Sequence, residues 1–597
     1  MRLCPLRNLL SKGACSLVNG NDELHKLVNS IALKNAAEHS GRTNVNTVLA
    51  KILSLKPELK NEIKTVIEEI KTVVDSVNKL DTDQQKKYLN ELESTESKFT
   101  SKSTHEHVGS HPFPELQTTG TKVVTRFPPE PNGYPHIGHA KAAIIDEEYA
   151  RIYNGKLILR FDDTNPLNER LEYYEAIRSG LEWLGVKPDI VKNTSDDIFI
   201  LHDHGKKLTL SGNAYVCTCD SNSIHKMRMQ QVECPCRSNI DDSEKNKERL
   251  DKLFDGTYHQ NDAILRFKGN MQDNNTVLRD PTLFRIIEAS HPLLGEKVKV
   301  WPTYDFAAPV EDSLDGVSHA LRSKEYELRN ALYSDILDRL ELRKPVVVEF
   351  SRLEFENMPV SKRKIKQLID DKQIAGWDDP RLLTLSALQK RGFDPKAIRS
   401  FVLSLGLTLA ESKPPFKTLE SMNRKILEPI AIRFFFVKDP IRVILEDAQD
   451  TKVILKNHPN IDLGTRQVEV SNVIYISQDD AILLTEGEEI RLMELYNIKI
   501  NKIDRDNKVI TASYVNNEIV REMKKIQWVS DKDKVNYTVL VPKELYVDDK
   551  FNPNSLERIE GYAETSVSQL ESHTPLQLIR FGFCNTVDKT SAIFSHR

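Results

Sequence analysis

Nowhere among the 597 residues is there an apolar run approaching the ~18–20 positions that a membrane-spanning helix needs, so no membrane partner is expected. Charge of one sign is also missing. The 84 lysines and arginines against 88 aspartates and glutamates leave a net −4. Composition therefore advertises no polyanionic partner, and a nucleic-acid-binding face would have to gather its cations locally. Cysteine is scarce, at seven, and Cys217, Cys219, Cys234 and Cys236 crowd together while Cys4, Cys15 and Cys584 are scattered. That excludes a disulfide framework and fits a reducing compartment such as the cytoplasm. With 39% hydrophobic and 29% charged residues the chain reads as folded protein rather than disorder. Its length predicts three to five domains.

Residues 1–20 contain Arg, Lys and Ser but no acid, a make-up shared by transit peptides and by short leaders. Residues 21–95 carry apolar positions at helical spacing (Ile63, Val66, Ile67, Ile70, Val73, Val74), which predicts three or four helices. A charged, Ser/Thr-rich linker spans 96–115, and its His105, His107 and His111 read as solvated. From Thr121 the chain reads strand (TKVVTRF), Pro/Gly loop (PPEPNGYP), helix (HIGHAKAAIIDEEYARIY), turn at Asn154-Gly155, strand (KLILRFDD). This is a βαβ unit with parallel strands. The α/β pattern over 116–200 is interrupted at 201–290 and resumes over 291–364. Residues 365–430 are largely helical. Short β runs fill 431–597, spaced as in barrels.

Ligands of an open parallel sheet sit at the carboxyl ends of its strands, where the following helix points its positive end. His136 and His139, three apart at such a helix start, can donate hydrogen bonds to a phosphate chain. Gly138 between them lets a flat ring approach the backbone. Some 220 residues later MPVSKRKI places Ser361, Lys362, Arg363 and Lys364 after a strand-like segment, as a basic loop able to close on a triphosphate. Arg126 and Asp162 end adjacent strands and so share one crevice. The Cys-x-Cys, fourteen residues, Cys-x-Cys pattern suits a tetrahedral structural zinc, the alternative being a metal-free hairpin of reduced thiols. His225, between the pairs, reads as a surface residue.

RFPPEPNGYPHIGHAKAA together with SKRK resembles the class I aminoacyl-tRNA synthetases, in their glutamyl/glutaminyl branch. LRFDDTNP, WPTYDFAAPVEDSLDGVSHALRSKEY, SRLEF, GWDDPR and NRKILEPIAIRFFFV resemble that branch in the same order. The helical start and β-rich end are similar to the archaeal type of glutamyl enzyme. The resemblance implies a multidomain α/β architecture: a Rossmann-like catalytic domain with an inserted acceptor-end-binding domain, helical N-terminal and stem-contact regions, and a C-terminal β-barrel anticodon-binding domain. It implies ATP with Mg2+, held by His136, His139, Lys362 and the flanking Ser361 and Arg363, with Glu130 lining the nucleotide site. Arg126 would take the amino acid's α-carboxylate, and Asp162 with Tyr304 its ammonium; Asp163 would cap a helix.

The branch has two substrates. Where glutaminyl enzymes resemble one another in a small or thiol residue after HxL, this sequence has Arg322. A guanidinium pairs bidentately with a γ-carboxylate and would be poorly compensated by an amide, so L-glutamate is expected. Leu328 also replaces an acid that bacterial-type glutaminyl enzymes present to the acceptor stem. The expected partner is tRNA(Glu), with tRNA(Gln) left open. Activation is expected to require bound tRNA, as is typical of glutamyl enzymes in this branch. A glutamine–tRNA ligase and a non-catalytic tRNA-binding paralogue are the alternative readings; damage to the His pair or Lys362 would mark the second, and there is none.

Overall fold

The computed structural model describes residues 21–38, 41–55, 63–81, 84–85, 113–118, 122–355, 358, 361–411, 413–548 and 550–597. The leader expected at 1–20 and the linker histidines lie outside them. Two units are present, one within residues 1–111 and one within 112–597.

In the first unit the spacing of apolar residues produces three helices among the described residues: α1 (Asn21–Glu38), α2 (Val45–Leu55) and α3 (Ile63–Val77). Val28, Ala32, Val48, Ile52, Val66, Ile70 and Val73 form their shared core. Thr43 and Asn78 tie the α1–α2 connection to the end of α3 by reciprocal backbone–amide bonds.

The second unit opens earlier than expected. Phe113, inside the expected linker, is buried, as is Leu116 just past it, and Phe113 meets Tyr149 edge-on at 5.5 Å. The pair joins the hydrophobic core formed with Val123, Phe127 and Tyr149. Strands β1 (Val124–Phe127), β2 (Lys156–Phe161) and β3 (Ile190–Asn193) pair in parallel in that order. Helix α4 (Ile137–Ile152) crosses between the first two and α5 (Leu171–Leu184) between the next. The turn after α4 needs its glycine: a Cβ on Gly155 would stand 2.1 Å from the Val123 carbonyl oxygen. Asn154 takes the left-handed conformation beside it.

The insertion begins with α6 (Ile198–Leu210). It is built on an antiparallel sheet of β4 (Ala214–Cys217), β5 (Ile264–Phe267), β6 (Thr282–Ile286) and β7 (Val300–Pro302), with α7 (Ser221–Gln230) and α8 (Ser243–Phe254) between β4 and β5. It therefore runs past the expected boundary at 290, because β7 completes its sheet and not the parallel one. Its core (Leu201, Leu208, Leu265, Phe284) continues into α9 (Tyr304–Leu314) and α10 (Asn330–Leu340) through Phe306, Val310 and Ile336. The parallel pair β8 (His319–Ser323) and β9 (Val346–Phe350) lies beside β1, where the Ser318 amide donates to Val124 O over 2.9 Å.

Helices α11 (Lys362–Asp370), α12 (Leu385–Arg391), α13 (Pro395–Leu405) and α14 (Phe416–Leu427) follow. Two barrel-like seven-stranded sheets end the chain, one centred on Asn497–Asp504 and Val509–Asn516, the other on Lys534–Pro542 and Leu556–Glu564. The helices are bolted to the second sheet by buried polar side chains: Arg391 Nη2 donates to Ser595 O (2.8 Å) and Asn423 Nδ2 meets His596 Nε2 (2.9 Å).

Candidate active site

The loop between β1 and α4 is held from both sides. Ile137 N donates to Leu383 O and Leu385 N to Pro135 O, each over 2.9 Å. Tyr134 stacks on Trp377, with ring centres 5.7 Å apart and planes 9° off parallel. At Gly133 a Cβ would stand 3.1 Å from Lys362 Cδ and 3.3 Å from the Trp377 ring. Three segments far apart in sequence, PPEPNGYP, SKRK and GWDDPR, thus meet at one glycine.

His136 is the N-cap of α4, and its Nδ1 accepts from Gly138 N over 3.1 Å. His139 Nδ1 accepts in turn from His136 N over 3.2 Å, and the two rings lie 4.0 Å apart. Because each Nδ1 is an acceptor, each ring carries its proton on Nε2 and offers a neutral N–H donor. Burial, aided by the nearby Lys362 charge, lowers the His136 pKa to about 3. Burial and its partner ring hold His139 well below the ordinary histidine value. Gly138 does not open space for a flat ligand ring here: a Cβ on it would meet His136 Cε1 at 2.8 Å, so the imidazole fills the gap.

SKRK is not a loop. Ser361 is an N-cap position, and Lys362, Arg363 and Lys364 form the first turn of α11, without an acid among them. Cations at a helix N-terminus oppose its dipole, and an anion placed there would offset both. Lys362 Nζ turns inward, donating to Glu130 O (3.3 Å) and to Asn132 Oδ1. Burial lowers its pKa to about 8 against the pull of Glu130, whose own carboxyl burial pushes up. Ser361 and Arg363 are exposed and do not line the cavity that receives Lys362.

That cavity, of about 540 Å³, collects Arg126, Glu130, His136, Gly138, His139, Asp162, Tyr304, Arg322 and Lys362. Arg126 is buried, its Nε donating to Asp312 Oδ1 (3.0 Å) and its Nη1 to Leu321 O (2.7 Å). Arg160 aligns Asp162 through Nε (2.8 Å) and meets Asp312 and Asp315 through Nη1, each at 2.9 Å. Arg322 is 5% exposed and lies over the rings of Tyr304, Tyr326 and Tyr333 at 5.2–5.7 Å. Its Nη2 donates to the Tyr304 hydroxyl (3.1 Å), whereas Nε and Nη1 find no partner among the described residues. Faces of tyrosines contribute about 0.5–2 kcal/mol, less than the several kcal/mol cost of an unpaired buried charge. The chemistry of this corner suits an anion.

Asp163 does satisfy one opening amide of a helical turn, but a distant one. It accepts from Ser195 N (2.8 Å) and the Ser195 hydroxyl (2.7 Å), as well as from Tyr174. Other lining residues were not singled out from sequence: Asn132, Lys141, Asp146 and Arg285. Among the described residues of the insertion, Arg285 is the one that reaches the cavity. Asp312 could have been found by periodicity, since it follows Tyr304 by eight residues on one face of α9.

The four clustered thiols approach one another as the spacing requires: Cys217 to Cys234 at 3.4 Å, Cys219 to Cys234 at 3.6 Å and Cys219 to Cys236 at 3.8 Å. A tetrahedral centre with metal–sulfur bonds of about 2.3 Å has edges of about 3.8 Å, so the donor set fits. His225 is exposed and outside the group. Among the described residues no helix is long and apolar enough to cross a membrane.

Against known proteins, residues 122–429 match the family described as tRNA synthetases class I (E and Q), catalytic domain. Residues 431–519 and 525–587 match that family's anti-codon binding domain descriptions. A protein named glutamate–tRNA ligase from Nitrosopumilus maritimus is 44% identical over 97% of this chain and 100% of its own length. One of the same name from Cenarchaeum symbiosum is 45% identical over 95% and 98%, and one from Pyrococcus furiosus 36% identical over 96% and 100%. With its cavity built on the matched catalytic segment and its two β sheets on the matched anticodon-binding segments, the chain belongs to the class I tRNA synthetases of the E and Q type.

Proposed function

We propose that the chain is a glutamate–tRNA ligase, and that the unpartnered Nε and Nη1 of Arg322 receive the γ-carboxylate of L-glutamate. The carrying observation is that buried fork, at the cavity wall, with no acid among the described residues within ion-pair distance. An amide in its place would leave the charge unbalanced, which disfavours glutamine. Tyr304 belongs with Arg322 rather than with the ammonium: its oxygen already accepts from Nη2, leaving its O–H to donate to the same carboxylate. Asp162, steered by Arg160 and Thr194, takes the ammonium, and Arg126 faces the α-carboxylate.

ATP, entering as its magnesium complex, would set its phosphates against the Nε2–H groups of His136 and His139 and the ammonium of Lys362. The α-carboxylate oxygen attacks the α-phosphorus, and pyrophosphate leaves. The terminal 2′-hydroxyl of tRNA then attacks the acyl carbon and releases AMP. Neutral N–H donors fixed by the helix cap stabilise charge as it develops without reorganising. The remaining rate comes from holding the reactants in line. The two β sheets would read the anticodon and the insertion would meet the acceptor end.

The tetracysteine group would hold a structural zinc, which when bound supplies cross-linking of two loops and no chemistry of the reaction. Free thiols at Cys217, Cys219, Cys234, Cys236 and Cys584 suit a reducing compartment, the cytoplasm. The deciding experiment is tRNA-dependent ATP–pyrophosphate exchange with each amino acid. Glutamate-only exchange is expected, and exchange with glutamine alone would reverse the assignment. Charging of tRNA(Glu) and tRNA(Gln) side by side fixes the tRNA range.

A further inference from the structure

We propose that Arg266 is the counter-charge of the tetracysteine site, so that a divalent metal, four thiolates and one guanidinium form a single buried unit. This rests on the reading of the four cysteines as a metal site. In the β4–β5 pair Tyr215 stands opposite Arg266 and Cys217 opposite Ile264. Side chains alternate along a strand, so Arg266 and Cys217 occupy one face as diagonal neighbours, within reach of a long side chain. Arg266 is fully buried. Its Nε donates to Asp280 O over 2.9 Å, but Nη1 and Nη2 have no hydrogen-bond partner among the described residues.

The nearby acid does not discharge it. Asp280 Oδ1 accepts from Arg237 Nη1 (2.7 Å) and Gly269 N (2.8 Å), and Oδ2 accepts from the Tyr215 hydroxyl (2.9 Å). Arg237 has a second acid in Glu233 (3.4 Å), whereas the buried Nη groups of Arg266 have no acid among the described residues left to pair with them, which with neutral thiols is costly. Four thiolates around a dication carry two negative charges, and N–H groups donating to sulfur suit both partners. The negative charge on the sulfurs would then meet the guanidinium that lacks an acid of its own. Arg266 also fixes the carbonyl of Asp280, a residue in left-handed backbone at the entrance to β6. Strand β6 is the one that carries Arg285 to the cavity.

The test uses the full-length protein, with zinc counted by elemental analysis, its affinity set by chelator competition, and cobalt substituted as a spectroscopic probe. Wild type should bind one zinc per chain. Arg266→Met should bind it about 10–100-fold more weakly, the usual effect of removing a hydrogen-bond partner of a metal ligand. Its sulfur-to-cobalt charge-transfer band should shift, a change that a packing role alone would not produce. Arg266→Lys, which keeps the charge and the stem, should shift the band while losing less affinity, and its band decides the matter if the Met variant fails to fold. One zinc in wild type with affinity and band unmoved in both variants would remove the role of Arg266 and leave the metal site standing. No zinc and no cobalt spectrum in wild type would overturn the metal reading and this inference with it.

Discussion

Arg322 Nη2 gives its hydrogen to the Tyr304 hydroxyl across 3.1 Å, and among the described residues this is the only hydrogen bond the guanidinium makes. Its Nε and Nη1 are left unpaired in a buried place. Arg322→Gln should lower kcat/KM for glutamate by about 2–4 kcal/mol, roughly 30- to 1000-fold, the cost of leaving one member of a buried charged pair alone. The KM for ATP should stay within about twofold. Steady-state exchange titrated in each substrate checks this, and an equal loss toward ATP would locate Arg322 elsewhere in the mechanism.

Neutral histidines make an unusual pH signature. A histidine whose folded pKa is depressed lends stability that is present above its unfolded value near 6.5 and is lost as pH falls toward the folded one, here about 3 for His136. At pH 5.5 that loss is about 1.4 kcal/mol. His136→Asn has no such group, so the stability gap between wild type and variant should narrow by that amount between pH 7.5 and 5.5. Urea midpoints at the two pH values measure it; a gap that widens would mean the ring is charged in the fold.

Lys362 sets the alkaline limit. Burial holds its pKa near 8, and a triphosphate binds the protonated form, so affinity is lost as pH rises through that value. The KM for ATP should climb about tenfold from pH 7.5 to 9 in wild type. In Lys362→Arg, whose side chain stays charged, the climb should vanish even if turnover is poor. A flat wild-type profile would show that Lys362 does not meet the phosphates as a cation.

Gly155→Ala drives a methyl group against the Val123 carbonyl, 2.1 Å away before relaxation. Backbone cannot yield as a flexible side chain does. The variant should be destabilised by about 1–3 kcal/mol, read from its denaturation midpoint, with substrate KM values unchanged where it remains folded. Wild-type stability would mean that the turn shifts freely.

Sequence reading picked out residues that line one cavity where they are contiguous. His136 and His139 share one helix start, and Lys362 sits in a compact basic run, so local spacing is enough. It failed where a partner comes from afar. Asp312 grips Arg126 from 186 positions away, and although helical spacing relates Asp312 to Tyr304, no local pattern joins it to Arg126. Ser361 and Arg363 were swept in with Lys362 because a basic run looks uniform in sequence, whereas a helical turn sends adjacent side chains in different directions. The insertion's end was placed at 290 because β7 is three residues long, too short to carry a period. The contact between Tyr304 and Arg322 was not legible for a simpler reason: 18 positions separate them, and they become neighbours only in three dimensions.

Arg285 carries a last implication. The insertion is a body with its own sheet and core, yet one of its side chains enters the catalytic cavity, holding Thr164 O and Pro302 O over 3.3 Å each. Contacts that long are easily exchanged. The insertion's sheet thus carries one positive charge at the wall of the cavity, and a displacement of that sheet would displace the charge with it.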